Sequence, residues 1–121
     1  MTRLVESIDQ QVYGESMGME IFRVAGVSYR KELLQRQEFA PGRTLKLIAE
    51  ADNQYDRNAV SVWDASGKMM VGYVPKERNR RIRAKLDLTG YQAIALAEHR
   101  KDGGRVSLTV MFGPMSEVRM K

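Results

Sequence analysis

Tyr55, Asp56 and Arg57 stand side by side in the stretch Asp52-Asn53-Gln54-Tyr55-Asp56-Arg57-Asn58-Ala59-Val60. A flat ring, an acceptor-only carboxylate and a guanidinium can stack, accept a hydrogen bond and meet an anion. Leu45, Leu47 and Ala49 alternate with polar neighbours before the stretch, and Val60, Val62 and Trp63 resume an extended pattern after it. Alternation bounded by Asp and Asn reads as strand, connection, strand. Asn and Asp suit the connection because their short side chains bond nearby backbone and tolerate left-handed dihedrals. The simplest reading is a polar hairpin connection with a packed tyrosine. The sharper one is a binding loop, since binding residues concentrate on loops held by a rigid scaffold.

A second concentration of chemistry lies from Lys76 to Lys85, KERNRRIRAK. It holds six of the chain's 20 basic side chains and one of its 15 acids, so 14 of each remain elsewhere. This segment therefore carries the whole formal charge of +5. A basic face can simply be solvated, but arginines such as Arg80 and Arg83 match phosphate oxygens in geometry. Tyr29, Tyr55 and Tyr73 interleave aromatic rings with the polar segments. Cations for phosphates and exposed rings for bases are what unpaired nucleotides require.

Other chemistries lack their residues. The chain has no cysteine and one histidine, His99. Disulfides, thiol nucleophiles, thiolate zinc sites and multi-histidine metal sites are thereby excluded within one chain. A calcium loop counted from Asp52 would place Arg57 at the glycine position and Trp63 at the closing glutamate, and fails. Asp64, Glu98 and Lys101 have no spacing specific to a two-metal nuclease. His99 beside Arg100 and Lys101 reads as a surface histidine and not as a general base. Gly103 and Gly104 lack the lysine-serine ending of a phosphate loop. We expect no catalytic residue, no metal and no cofactor. No apolar stretch reaches membrane-span length, and Met1 to Glu6 does not open a signal peptide. The expected setting is cytoplasmic, with no membrane partner.

The elements that must position these residues follow from punctuation and periodicity. Residues 1–20 read as a lead-in, loop-like or mobile, with Leu4, Val5 and Ile8 as a short strand or helix. Ile21 to Val27 is the first convincing strand. Arg30 to Gln37 holds strong helix formers. Pro41-Gly42 breaks the chain before a strand over Arg43–Ala51. Ala59–Asp64 is its hairpin partner, 65–68 a turn, and Met69–Val74 a further strand ending at Pro75. Lys76–Leu88 reads as a helix with Pro75 at its start and Ile82, Leu86 and Leu88 as its apolar stripe. Gln92–Glu98 favours a strand. Asp102-Gly103-Gly104 signals a hairpin into the alternating strand Arg105–Phe112. Residues 114–121 form a tail. The expectation is a mainly β (α+β) domain over 21–113, a small twisted barrel or sandwich of five to six strands with two helices.

Three segments in this order carry a family likeness: Val24-Ala25-Gly26-Val27-Ser28-Tyr29-Arg30, then Glu50-Ala51-Asp52-Asn53-Gln54-Tyr55-Asp56-Arg57-Asn58-Ala59-Val60, then Val71-Gly72-Tyr73-Val74-Pro75-Lys76-Glu77. Together they closely resemble the HIRAN domain, over roughly Ile21 to Phe112. The resemblance implies a modified OB-like β-barrel with two helices that holds free 3′ ends of single-stranded DNA. It implies Tyr29 and Tyr55 as stacking or clamping rings and Asp56 as acceptor for a terminal 3′-hydroxyl. Lys76 would contact phosphate, with Tyr73 beside it and Arg80 and Arg83 on the basic helix. Asn53 and Asn58 would order the loop.

The expected function is a single-stranded DNA-binding module in repair, replication or mobile-element processes. Its protein partner would be a helicase or nuclease. Two positions depart from the end-binding branch: Ser28 replaces a basic residue and Tyr73 a histidine. They motivate the alternative, a protein-interaction adaptor of the same fold without nucleotide binding.

Overall fold

The structure, a computed structural model, describes residues 18–114. The expected strand or helix at Leu4, Val5 and Ile8 and the tail from 115 onward lie outside the described residues. Six strands form one sheet: β1 (Glu20–Arg23), β2 (Thr44–Ala49), β3 (Val60–Asp64), β4 (Met70–Tyr73), β5 (Tyr91–Lys101) and β6 (Gly104–Pro114). Their order is β1-β6-β5-β2-β3-β4, and every pairing is antiparallel. The sheet curls until its edges meet, where Ala25, just past β1, forms a single bridge with Tyr73 of β4. The result is a mainly β, OB-like half-barrel with two helices, α1 (Lys31–Leu34) and α2 (Lys76–Arg83).

Alternation along each strand feeds the core. Phe22, Leu45, Val62, Ala95, Leu108, Val110 and Phe112 point inward and are buried. Leu34 and Phe39, from α1 and the 3₁₀ turn after it, are fully buried against the same core. Arg105 of β6 fastens this segment. Its guanidinium donates to the carbonyl of Leu34 (2.6 Å), at the end of the short helix, and to that of Arg36 (3.0 Å), which also accepts the Phe39 N–H. The Gln35 amide pairs with the Arg105 backbone in both directions, at 2.7 and 2.8 Å.

Several expected boundaries shift for local reasons. The first strand stops at Arg23, and Gly26, with φ of 74°, turns the chain into a 3₁₀ turn at Val27–Arg30. A left-handed residue ends extended pairing, and glycine takes it without a Cβ penalty. The helix expected to run to Leu88 ends at Arg83. Beyond it, Lys85, Leu86 and Leu88 donate to carbonyls three residues back, so the backbone tightens into successive turns. Leu86 packs on the core, but Leu88 is exposed and leaves the expected stripe. The stretch 92–98 is strand, and Asp102 and Gly103, both with positive φ, close the β5–β6 hairpin in two residues.

The basic helix is pinned by an acid that stands far from it in sequence. Glu20 of β1 is 2% exposed. Its carboxylate accepts from Arg81 Nε at 2.9 Å and Lys85 Nζ at 2.7 Å, with Arg78 at 3.8 Å. Arg78, Arg81 and Lys85 follow helical spacing, so they line one flank of the segment. Ile82, between the flanks, is fully buried.

Asp64, one of the acids weighed for a metal site, is instead a turn residue. It is 3% exposed. Its two oxygens accept the backbone N–H groups of Ser66, Lys68 and Met69 at 2.8–3.2 Å, and the Ser66 hydroxyl as well. Burial pushes this carboxyl up. The hydrogen bonds from the Ser66 hydroxyl and from the Met69, Lys68 and Ser66 N–H groups outweigh it and hold the pKa at about 2.

Two stability measurements follow. The folded-state pKa of Asp64 lies below its ordinary 3.8, so its contribution is complete above pH 4 and is lost as pH falls through about 2. In urea melts, the gap between wild type and Asp64→Asn should narrow by about 2 kcal/mol from pH 5 to pH 2. Glu20→Gln should lower stability by about 1–3 kcal/mol, the worth of a charge-assisted hydrogen bond. An unchanged urea midpoint would show that the Glu20 cluster does not hold α2 to β1.

Candidate functional site

Tyr73 is where the three sequence segments meet. Its backbone exchanges two hydrogen bonds with Ala25, each 2.8 Å long, which fastens the Val27–Arg30 turn to the end of β4. The close approach requires Gly72. A Cβ there would lie 2.4 Å from the Ala25 carbonyl oxygen and 2.7 Å from a Val24 methyl. The Tyr73 hydroxyl reaches the other way and donates to Glu50 Oε1 at 3.1 Å. Burial raises the Tyr73 pKa, the hydrogen bond to Glu50 and its charge raise it further, and Arg30 opposes them. The ring is therefore a neutral donor whose position is set by Glu50.

Glu50 opens the loop between β2 and β3. The loop's ends are joined by a bond from the Glu50 N–H to the Ala59 carbonyl, 2.9 Å. Asn53 orders the interior. Its Oδ1 accepts the N–H groups of Tyr55 (2.8 Å) and Asp56 (3.0 Å), while its Nδ2 donates to Glu50 Oε1 (3.0 Å). A side-chain carbonyl is standing in for a backbone acceptor, the usual Asx device. Tyr55 is left 89% exposed, so the simple reading of a packed tyrosine is overturned. Tyr29, on the turn behind the Ala25 bridge, is 83% exposed. An open depression lies along that turn, lined by Ser28, Tyr29, Arg30 and Lys31 among others.

Asp56 is braced from two sides. Oδ1 accepts the Asn58 N–H at 2.9 Å and Oδ2 the Asn79 Nδ2 at 2.9 Å. The Asn58 N–H holds this carboxyl below its ordinary value. Partial burial pushes the other way, and the Asn79 amide and the charge of Lys76 add to the lowering. Asp56 is thus ionised at neutral pH, and each oxygen keeps acceptor capacity toward solvent.

The basic helix splits into two flanks. Lys76, Asn79 and Arg83 repeat at helical spacing on the flank facing the loop. Arg83 donates to the Arg57 carbonyl and lies 3.4 Å from Asn58 Oδ1. Arg80 is exposed, and its side chain has no hydrogen-bond or ion-pair partner among the described residues. The opposite flank is committed to Glu20. Six cations within ten residues therefore do not make six cations on one surface.

The sequence reading missed Glu50, Asn79 and Arg30. Asn79 did leave a signal: asparagine is a poor helix former, and here it interrupts a run of cations and is only 3% exposed. Glu50 left none, because its partners are 3 and 23 residues away. His99, read as a surface histidine, is partly buried, with Nε2 2.7 Å from Thr109 Oγ1. Among the described residues no cluster of three His, Cys, Asp or Glu side chains could hold a metal, and no helix is long and apolar enough to cross a membrane.

Among solved structures, the fold is similar to the crystal structure of the HIRAN domain of human HLTF, with a TM-score of 0.57 and 19% identity over 83% of this chain and 79% of that one. It is also similar to a protein from Lactobacillus plantarum, with a TM-score of 0.52 and 20% identity over 79% of this chain and 99% of that one. No curated protein matches the sequence. The family profile described as HIRAN domain matches residues 17–113, which spans all three segments that meet at Tyr73. The chain belongs to the HIRAN domain family.

Proposed function

We propose that this chain is a non-enzymatic, cytoplasmic module that binds single-stranded DNA and reads its free 3′-hydroxyl end. Asp56 carries the reading. It is a carboxylate held ionised and fixed by Asn58 and Asn79, next in sequence to Tyr55, which with Tyr29 is among the most exposed large hydrophobic side chains of the described residues. An acceptor-only group welcomes a terminal hydroxyl and repels a terminal phosphate. Glu50, tied to Tyr73 and Asn53, strengthens that repulsion. The two rings stack the last bases, each contact contributing on the order of 1–3 kcal/mol. Lys76, Arg80 and the remaining donors of Arg83 take backbone phosphates. Asn53 and Asn58 order the loop and Tyr73 joins its two supports. Arg30, whose charge reaches Tyr73, supplies the cation that Ser28 does not. A helicase or nuclease in repair, replication or mobile-element processes is the partner such a module would serve.

Anisotropy titrations with labelled oligothymidylates test this directly. Wild type should prefer a 3′-hydroxyl over a 3′-phosphate end by about tenfold, the worth of one charge-assisted hydrogen bond. Asp56→Asn should erase that preference. Equal affinity of wild type for both ends would sink end recognition. No binding to any oligonucleotide at low salt would favour a protein-interaction adaptor instead. Three phosphate contacts predict a log–log salt slope of about −2, and a slope near −4 would mean that the Glu20-bound flank also contributes. DNA should remain intact in the presence of magnesium or manganese.

A further inference from the structure

The outer face of β2–β3–β4 holds the chain's only tryptophan. Cross-strand pairing puts Ile48, Ser61 and Tyr73 in one row and Lys46, Trp63 and Met70 in the next. The first row ends at Tyr73, whose hydroxyl meets the loop through Glu50. The second lies two residues further along β3, a rise of about 7 Å, comparable to the reach of one extended nucleotide. Trp63 is partly exposed, and its indole N–H donates to Ser61 Oγ at 2.7 Å, which fixes the ring beside the Tyr73 row. Met70 is partly exposed next to it, and Lys46 opposite it is exposed. The Lys46 side chain leans on the β3–β4 turn, 3.4 Å from where a Gly67 Cβ would stand, and Lys68 of that turn is exposed too. The acid of this turn, Asp64, faces inward with its oxygens occupied. Ser61, between Tyr73 and Trp63, is fully buried, so what remains outside is the partly exposed indole, one row from Tyr73, with Lys46 paired to it and Lys68 on the adjoining turn.

We propose that Trp63, with Lys46 and Lys68, forms a second subsite that takes a nucleotide lying internal to the 3′ end on the same DNA strand. This rests on the reading of the site as a single-strand binder, and adds the direction in which the strand leaves it. The indole stacks on one base, and the two lysines meet the phosphates that flank it. Stacking tolerates any base, so the subsite adds affinity and not sequence preference.

Trp63 reports on its own occupancy. Unlabelled dT2, dT4 and dT8 with free 3′-hydroxyls are titrated while tryptophan emission is followed, alongside anisotropy competition against labelled dT8. We expect dT8 to quench the emission and dT2 to leave it unchanged. Trp63→Leu should weaken dT8 at least about fivefold, the low end of one stacking contact, with dT2 unaffected. Lys46→Glu, an exposed change that spares the core, should do the same. Binding of dT8 with unchanged emission and full affinity in both variants would overturn the subsite while leaving end binding intact. Absence of binding by any oligonucleotide would overturn both.

Discussion

Ala25 and Tyr73 exchange two backbone hydrogen bonds across the seam of the half-barrel, and the rest of the architecture depends on that contact. Without it, β1 and β4 are open edges at opposite ends of a six-stranded sheet. An unpaired edge exposes orphan backbone groups and leaves curvature unspecified. With it, the sheet has a closure point and the chain after β1 is laid across the end of β4. The seam needs a residue without a side chain, because a Cβ at Gly72 would overlap the Ala25 carbonyl. A glycine inside a strand normally weakens it. Here it is the condition for two backbones to meet.

From the seam, order spreads by short hydrogen-bonded steps. The Tyr73 hydroxyl donates to Glu50, Glu50 also accepts from Asn53, and Asn53 folds the loop around the N–H groups of Tyr55 and Asp56. The helix approaches from the other side and meets Asp56 through Asn79. Asp56 is thus held by its own loop and by a separate element, and Tyr55 beside it is left to solvent. For the proposed function, a carboxylate fixed in advance lowers the entropy that binding must overcome.

Helix α2 shows how a charge run becomes a structural part. Arg78, Arg81 and Lys85 meet a buried acid from β1, so half of the segment's cations serve packing. A buried carboxylate is tolerated only when paired, and three cations satisfy it. The other flank keeps Lys76 and Arg83 near the loop. One flank of the helix is a strut and the other walls the candidate site, with Ile82 buried between them.

Alternation and punctuation were enough to read the strands, the Asp102-Gly103 hairpin and the mainly β class, because those signals are local. The ordered trio of segments around Tyr29, Tyr55 and Tyr73 was enough to read the family. Strand ends and the length of α2 were not legible, since Gly26 and the residues after Arg83 respond to contacts made elsewhere. Nor was the fate of individual side chains. Tyr55 could equally have packed inward, and Asp64 could have been a ligand rather than a turn anchor. Glu20, Glu50 and Asn79 look unremarkable in sequence. Their partners are 61, 23 and 23 residues away in Arg81, Tyr73 and Asp56. Local periodicity and residue type set which segments are extended and which chemistry each carries. Which cations face Glu20 and which face the loop is a long-range outcome, because it depends on where an antiparallel sheet, closing on itself, brings β1 against α2.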